Sequence, residues 1–474
     1  MKIAFLHYHL KTGGVTTVIK QQMRALQGSC EMLALTGTLP ERDIPADTVE
    51  IPGLAYDSDG AAALDPRDTA DAVWEAIQTK WGSGCDVLHV HNPTLAKNKH
   101  LLQILKALQE KGVRLFLQIH DFSEDGRPGA YFADSYPENC HYGVINSRDH
   151  RILLNAGLRT NGLHLLPNTV LPLPDVRRLL KDDERHILYP IRAIRRKNIG
   201  EAILLSQLIT DRLPLCITLP PNSPADFPSY EFWKEYTARH NMAIMFEAGL
   251  KENFKDLVRF SRFMITTSIT EGFGFSFLEP WTAGKYLCGR RLPDICVDFE
   301  QSGICLEHLY SRIDIPLDWI DEAAFREDWE ACFTAAFQNF GRPKRPDLAA
   351  SGYGNITKNG RVDLGLLSEP FQEQVLSTLL GRDNAKARLF QMNPRLGLPR
   401  RGEDMEALIS RNREAVTQHY NETIYRTNLI GIYERVSSTP VSHSIDKQFL
   451  LNAFLTPEMF SLLKWSTFPD PLTE

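Results

Sequence analysis

Residues 1–26, MKIAFLHYHLKTGGVTTVIKQQMRAL, decide the fold class through the order of their residue types. The mostly apolar run from Lys2 to Tyr8 predicts a buried strand, and Thr12-Gly-Gly14 predicts a tight turn. Apolar residues at helical spacing then predict a helix from about Val15 to Leu26. A strand, a glycine turn and a helix in this order are typical of a parallel sheet covered by helices.

The same alternation runs through the first half of the chain and restarts after a proline-bearing, highly charged segment at residues 171–185. Two doubly wound α/β domains are therefore expected. The predicted strands are Lys2–Tyr8, Glu31–Leu35, Asp86–Val90, Arg114–Ile119, Tyr142–Ile145, His186–Tyr189, Leu215–Thr218, Ala243–Phe246 and Phe263–Thr267. Further predicted helices are Asp68–Lys80, Leu95–Lys111, Ile199–Leu208, Ser229–His240, Phe254–Ser261 and Phe277–Ala283.

The last third of the sequence is mainly helical in pattern and has no internal repeat. Its predicted helices are Trp319–Phe340, Pro370–Leu380, Asp404–Thr417, Asn421–Val436 and Ile445–Leu463. The predicted organisation is a first domain at 1–172, a second at 184–425 with a helical insertion at about 319–399, and final helices at 426–474 that could cross back to the first domain.

Composition narrows the class of protein. The formal net charge of −6 argues against a nucleic-acid partner, which requires a basic surface. The first fifteen residues lack a signal peptide's features, no apolar run is long enough to cross a bilayer, and eight cysteines are scattered without a CxxC pair. A cytoplasmic location with reduced thiols is expected. The amphipathic stretch Leu95–Lys111 permits contact with a membrane surface, but packing into the core is favoured.

Two glycine- or cation-rich stretches follow predicted strands. Thr12-Gly-Gly14 leaves bare backbone at a helix start, which suits an anion; the alternative is an ordinary turn. The G-x-G-x-x-G fingerprint of NAD enzymes is missing. The stretch RAIRRKN, from Arg192 to Asn198, places four cations beyond a strand, where a phosphate would bind in an open α/β sheet; a solvated basic turn is the alternative.

The stretch TEGFGFSFLEP, residues 270–280, holds Glu271 and Glu279 on either side of a glycine loop. Eight positions span ~12 Å in a helix and ~26 Å in a strand, so a glycosidase pair at about 5–10 Å is unlikely without a folded-back loop. The backbone amides of the glycine loop would suit the binding of a diphosphate, and the two carboxylates would suit the binding of sugar hydroxyls. Alternatively, Ser276-x-x-Glu279 matches a capping box.

Histidines cluster near predicted strand ends, as His7 with His9 and as His89 with His91. A zinc site is disfavoured because no further ligand falls at metal-like spacing. His120, directly after a strand, is the better functional candidate, and the alternative is a structural histidine bonded to Asp121.

Together these stretches resemble the retaining glycosyltransferases of family 4, which have the GT-B fold of two Rossmann-like domains facing a cleft. The resemblance rests on the family's E-x7-E motif at EGFGFSFLE. It is supported by KTGGV (11–15), DVLHVHNP (86–93), IHD (119–121), LPNTV (166–170) and Arg192 with Lys197. Thr169 departs from the glycine that the family has after its Pro-Asn.

The resemblance also implies residue roles. Arg192 and Lys197 would neutralise the diphosphate, Glu271 would hold the donor sugar and His120 would contact it near the reacting bond. Glu279 would bind the ribose. The other implied donor contacts are Gly13, Gly14, Gly272, Phe273, Gly274 and Phe275. The implied acceptor contacts are His9, Asn92 and Asp121.

The predicted function is therefore metal-independent, retaining transfer of a hexose, preferably glucose or mannose, from a UDP- or GDP-sugar to a small polar or saccharide acceptor. No cofactor beyond the donor substrate is expected. The alternatives are a sugar-nucleotide epimerase of the same fold, which would need acid–base groups on both faces of the sugar, and a non-catalytic sugar-nucleotide-binding protein.

Overall fold

A computed structural model describes residues 1–41, 43–60, 64–173, 184–209, 213–396 and 403–468. The chain forms two compact units. Unit 1 comprises Met1–Thr169 and Tyr420–Phe454, and unit 2 comprises Val170–His419 and Leu455–Glu474. Across the described ranges, no helix combines the length and apolar character that a membrane span needs.

Unit 1 is built on a parallel sheet. Its strands in the described residues are β1 (Lys2–His7), β2 (Glu31–Thr36), β3 (Asp47–Glu50), β4 (Val87–His91), β5 (Leu115–Ile119), β6 (His141–Val144) and β7 (Leu163–Leu165). Their order is β3-β2-β1-β4-β5-β6-β7. Both faces are covered, since Ala4 and Leu6 pack into one apolar cluster while Ile3 and Phe5 pack into another. This arrangement explains why the inner strands β1 and β5 are almost continuously apolar.

Among the residues described for unit 1, four helices precede the crossing to unit 2: α1 (Gly14–Leu26), α2 (Pro66–Trp81), α3 (Leu101–Glu110) and α4 (Ser147–Asn155). The predicted start of α3 at Leu95 is wrong by about two turns. Asn98 instead donates its side-chain amide to the carbonyl oxygens of Gly53 (2.7 Å) and Ala55 (2.9 Å). These bonds fix residues 95–100 as a turn, an outcome that the apolar pattern alone does not reveal.

Unit 2 contains a second parallel sheet. Its strands are β8 (His186–Arg192), β9 (Leu215–Leu219), β10 (Ile244–Met245), β11 (Ser261–Thr266) and β12 (Leu287–Gly289), in the order β10-β9-β8-β11-β12. The helices around them are α5 (Ile199–Leu208), α6 (Phe227–Arg239), α7 (Ala248–Lys251), α8 (Phe254–Phe260), α9 (Glu279–Thr282) and α10 (Pro293–Gln301). In both units the first strand lies inside the sheet, and the chain adds strands first on one side of it and then on the other. The prediction of two doubly wound domains is therefore confirmed.

The helical region that follows belongs to unit 2. It contains the antiparallel strands β13 (Asp314–Pro316) and β14 (Arg361–Asp363), and the helices α11 (Glu322–Asn339), α12 (Pro346–Ile356), α13 (Glu369–Gly381), α14 (Ala385–Met392) and α15 (Glu403–His419). The predicted insertion at about 319–399 lies within this region, although its residues 397–399 lie outside the described part of the chain.

The last helices are divided between the units: α16 (Glu422–Ser438) and α17 (Lys447–Phe454) belong to unit 1, whereas α18 (Leu462–Trp465) belongs to unit 2. Tyr425, Leu429 and Tyr433 of α16 join the apolar cluster beneath α1. The prediction of a single helix over Ile445–Leu463 is wrong. The chain leaves unit 1 after Phe454, and Pro457 begins a short 3-10 turn there.

Candidate functional site

The first group of candidate residues lies at the carboxyl ends of β8 and β11 in unit 2, on a 3-10 turn at Arg195–Lys197. The Tyr189 hydroxyl donates to the Lys197 carbonyl oxygen at 2.6 Å, and Thr267 Oγ1 donates to the same oxygen at 3.0 Å. The Ile269 amide donates to the carbonyl oxygen of Arg196 at 3.0 Å. These bonds fasten the basic turn to the segment that leads directly into Glu271.

Lys197 and Glu271 form a salt bridge between Lys197 Nζ and Glu271 Oε1. Only 14% of the lysine side chain and 10% of the glutamate side chain are exposed. Burial alone would raise the pKa of Glu271, but its attraction to Lys197 and Arg196 outweighs burial and lowers that pKa below its usual value. The glutamate is thus held as a carboxylate beside two cations.

The four cations of the basic stretch have different environments. Arg195 is buried and forms a two-pronged salt bridge with Glu369, so it is committed to the fold. Arg192 is the last residue of β8, not beyond it as predicted; it is exposed and donates to the Pro220 carbonyl oxygen at 3.0 Å. Within the described residues, neither Arg192 nor Arg196 forms a salt bridge. Arg196 therefore remains a candidate ligand contact, and the sequence pattern could not separate it from Arg195 because only the turn's conformation does so.

The glycine loop after Glu271 has a fixed shape. Gly274 has a φ of 94°, and a Cβ added there would lie 2.9 Å from Phe277 Cδ2, so both backbone and packing require glycine. The Phe273 ring is buried, with its centroid 4.9 Å from that of Phe275 and 5.7 Å from that of Phe299. Gly272 is half-buried. The loop is thus supported by apolar packing and begins at the Lys197–Glu271 pair.

The capping-box interpretation of Glu279 is wrong. The predicted helix Phe277–Ala283 is a 3-10 turn followed by the single turn α9, whose N-cap is Leu278 without a side-chain hydrogen bond. Ser276 Oγ instead receives a bond from Thr266 Oγ1 at 3.4 Å. No described residue gives the Glu279 carboxylate a hydrogen bond or salt bridge. Burial raises its pKa to about 7, and the charge of Lys197 offsets this only in part. An unpartnered, half-buried carboxylate is suited to bind a ligand hydroxyl.

The raised pKa of Glu279 makes stability depend on pH. Between the usual value of 4.5 and about 7, the folded state binds more protons than the unfolded state, so stability falls as the pH rises through this range. Glu279→Gln should remove the cost of ionisation and raise the melting temperature by about 2–4 °C at pH 8, with no gain at pH 4. Differential scanning fluorimetry measures both, and the exposed Glu235→Gln is the matched control. An equal gain in melting temperature at pH 4 and pH 8 would contradict a raised pKa for Glu279.

In unit 1, Gly13 is the N-cap of α1 and Gly14 its first residue; both are exposed. No side chain caps the helix, and a Cβ added at Gly14 would meet nothing within 4 Å. Glycine is therefore not required there by packing. Because Gly14 has no side chain, the backbone amide groups of the first turn of α1 remain uncovered.

His120 lies at the carboxyl end of β5 in unit 1. Its Nε2 is 2.9 Å from His91 Nδ1, while the carboxylate of Asp121 forms a salt bridge with Arg127 at 2.9 Å. Burial lowers the pKa of His120 to about 4, so its imidazole is neutral at neutral pH. The interpretation of His120 as a histidine held by Asp121 thus needs revision, because His91 is the partner of this ring nitrogen.

Two predicted acceptor contacts have structural bonds. Asn92 has a φ of 53°, and its Oδ1 accepts from the backbone amides of His120 (2.8 Å) and Asp121 (3.1 Å). His9 Nε2 is 3.1 Å from the Tyr56 hydroxyl, and its Nδ1 is buried without a partner. Throughout the ranges described above, no three His, Cys, Asp or Glu side chains are arranged to hold a metal ion.

Comparison with known proteins gives one curated relative and several solved structures. No protein-family model matches the chain. Mannosylglucosyl-3-phosphoglycerate synthase from Petrotoga mobilis is 28% identical over 339 residues, which are 62% of this chain and 65% of that protein. The match therefore spans slightly less than two thirds of either protein.

Solved structures share the architecture at low sequence identity. A glycosyltransferase from Rickettsia africae has a TM-score of 0.54 at 12% identity and covers 92% of this chain and 99% of its own. Sucrose-phosphate synthase from Thermosynechococcus elongatus has a TM-score of 0.52 at 14% identity, covering 92% and 98%. Anabaena Alr3699/HepE, solved with UDP-glucose, has a TM-score of 0.51 at 11% identity, covering 92% and 100%. These likenesses show that the chain has the GT-B fold.

Proposed function

We propose that the protein is a glycosyltransferase that takes a hexose from a nucleotide-diphosphate sugar. The observation that carries this proposal is the arrangement around the glycine loop of unit 2. Lys197 is salt-bridged to Glu271 at one end of the loop, and the unpartnered Glu279 lies at the other. One acid suits the donor sugar, the other suits the ribose, and the cations and loop amides suit the diphosphate between them.

The proposed reaction retains the configuration of the sugar and uses no metal. Departure of the nucleoside diphosphate builds negative charge on its oxygens, and fixed cations stabilise that charge most in the transition state. Lys197 and Arg192 are assigned to this role by the resemblance, and the electrostatic effect of Arg196 on Glu271 adds a third candidate. His120, a neutral imidazole, is proposed to contact the sugar by hydrogen bonding rather than by charge.

The donor is proposed to be a UDP- or GDP-linked glucose or mannose. The name of the Petrotoga relative gives its product as a mannosylglucosyl compound, and the Anabaena structure contains UDP-glucose. The same relative suggests that the acceptor panel should include a glucose-bearing 3-phosphoglycerate beside small polar molecules and neutral saccharides.

The test is nucleotide binding followed by turnover. The protein is incubated with UDP, GDP and ADP and with their glucose and mannose derivatives, with and without each acceptor. We expect one nucleotide to raise the melting temperature and acceptor-dependent release of that nucleotide to persist in EDTA. Stabilisation by no nucleoside diphosphate overturns the proposal.

The rival functions give different results in the same assay. An epimerase converts the donor sugar without any acceptor and releases no nucleotide. A binding protein is stabilised by a nucleotide sugar but neither converts nor transfers it. Turnover that disappears in EDTA and returns with a divalent cation overturns the metal-independent mechanism.

A further inference from the structure

We infer that helix α13 positions the basic turn Arg195–Asn198, with Glu369 and Gln372 as positioning residues for Lys197. The insertion that carries α13 would then serve the donor site itself. The structural part of this inference rests on contacts within unit 2, whereas its catalytic consequence rests on the proposed function.

The first contact is the buried ion pair of Arg195 and Glu369. Arg195 Nε lies 2.7 Å from Glu369 Oε1, and Arg195 Nη2 lies 2.8 Å from Glu369 Oε2. Ser229 Oγ donates to the same carboxylate at 2.5 Å, and the glutamate is fully buried. Two parallel bonds fix both the position and the orientation of the guanidinium group. The first residue of the basic turn is thereby anchored to the first residue of α13.

The second contact holds the other end of the turn. Gln372 Nε2 donates to Asn198 Oδ1 at 2.9 Å, and Asn198 Nδ2 donates to Glu201 Oε2 at 2.8 Å. Asn198 is buried and has the left-handed conformation, with φ 54° and ψ 62°. Such a conformation is costly for a residue other than glycine unless side-chain bonds support it. Asn198 directly follows Lys197, so its conformation decides where the lysine side chain begins.

Anchoring is needed because the turn is short. A 3-10 turn of three residues has few and poorly aligned internal hydrogen bonds, and cannot fix a side chain by itself. A displacement of about 1 Å in a group that acts on a reacting centre can cost about 10²-fold in rate. By holding both ends of the turn, α13 maintains Lys197 against Glu271.

The test uses Gln372→Leu and Asn198→Gly in the full chain. Leucine has nearly the volume of glutamine but cannot bond to Asn198. Glycine adopts the left-handed conformation readily and removes both side-chain bonds. Glu373→Leu is the matched control, because Glu373 lies on the same helix and is partly exposed, with its Oε1 3.9 Å from Nη1 of the exposed Arg239. Hydrogen exchange of the amides at 195–202 and steady-state kinetics are measured for all three variants.

We expect amide exchange over 195–202 to rise about tenfold in both variants and to stay unchanged in the control, since the turn loses its Gln372 bond to α13 while its bonds to Tyr189 and Thr267 preserve the fold. With the donor established for the wild type, kcat should fall by about 10–100-fold with the acceptor KM unchanged. Binding of the nucleoside diphosphate should weaken relative to the monophosphate.

Unchanged exchange over 195–202 in Gln372→Leu overturns the inference, whatever the kinetics and even if exchange rises in Asn198→Gly. Equal exchange increases across the whole of unit 2 overturn it as well, because they indicate general destabilisation. If the wild type binds and converts no donor, the proposed function fails, and the exchange measurement still decides whether α13 positions the turn.

Discussion

Replacing Lys197 with methionine should lower donor turnover by about 10²–10³-fold, because it removes a fixed cation from the place where the leaving diphosphate gains charge. The same change should destabilise unit 2 by about 3–5 kcal/mol, since it leaves the buried carboxylate of Glu271 without its partner. Steady-state nucleotide release measures the first effect, and urea unfolding measures the second.

A double variant separates the two effects. Lys197→Met with Glu271→Gln removes the unpaired charge, so most of the lost stability should return while turnover stays below that of Glu271→Gln alone. Lys255→Met, on the exposed surface of α8, is the control for a lost lysine and should change neither quantity. Recovery of turnover along with stability in the double variant would show that Lys197 has only a structural role.

The pair also predicts sensitivity to acid. The pKa of Glu271 is lower in the folded state than its usual value, so the contribution of the salt bridge to stability is complete above about pH 4.5 and is lost as the pH falls through the lowered pKa. The stability difference between the wild type and Lys197→Met should therefore shrink on acidification.

Arg290→Met should lower the stability of unit 2 by about 3–5 kcal/mol at neutral pH. Arg290 is buried between two carboxylates, with Nη2 at 2.6 Å from Glu201 Oε2 and Nη1 at 2.7 Å from Asp363 Oδ2. Without the arginine, two nearby buried carboxylates lack a counter-charge and favour the protonated form. The loss should thus be larger at pH 8 than at pH 5 when measured by urea unfolding.

Arg388→Met is the matched control for this prediction. Arg388 also forms a two-pronged salt bridge, at 2.8 Å to Asp318, but 43% of its side chain and 58% of that of Asp318 are exposed. An exposed pair contributes only about 0–1 kcal/mol because water screens it. Equal losses for the two variants would contradict the importance assigned to burial at Arg290.

The sequence by itself determined the α/β architecture with two parallel sheets, and it contained the stretches proposed to bind a donor. Apolar runs such as residues 2–8 recur with amphipathic helices between them, and this period depends only on local residue order. The glycine loop after Glu271 is visible in the sequence, whereas the left-handed conformation of Gly274 is a result of the structure. The eight-residue spacing of Glu271 and Glu279 argues against a glycosidase pair, and the family resemblance implies that the two acids contact different parts of a donor.

Only the tertiary structure decided which charges meet. Lys197 and Glu271 are 74 residues apart, and Arg195 and Glu369 are 174 residues apart. In the sequence, Arg195 and Arg196 are adjacent and equivalent; in the fold, one is buried against α13 and the other remains partly exposed. The fold also decides that the Ser276 hydroxyl bonds to Thr266 and does not form a capping box with Glu279. Hydrophobic periodicity fixes which elements form, whereas the partner of a charged side chain depends on the desolvated environment that distant segments create around it.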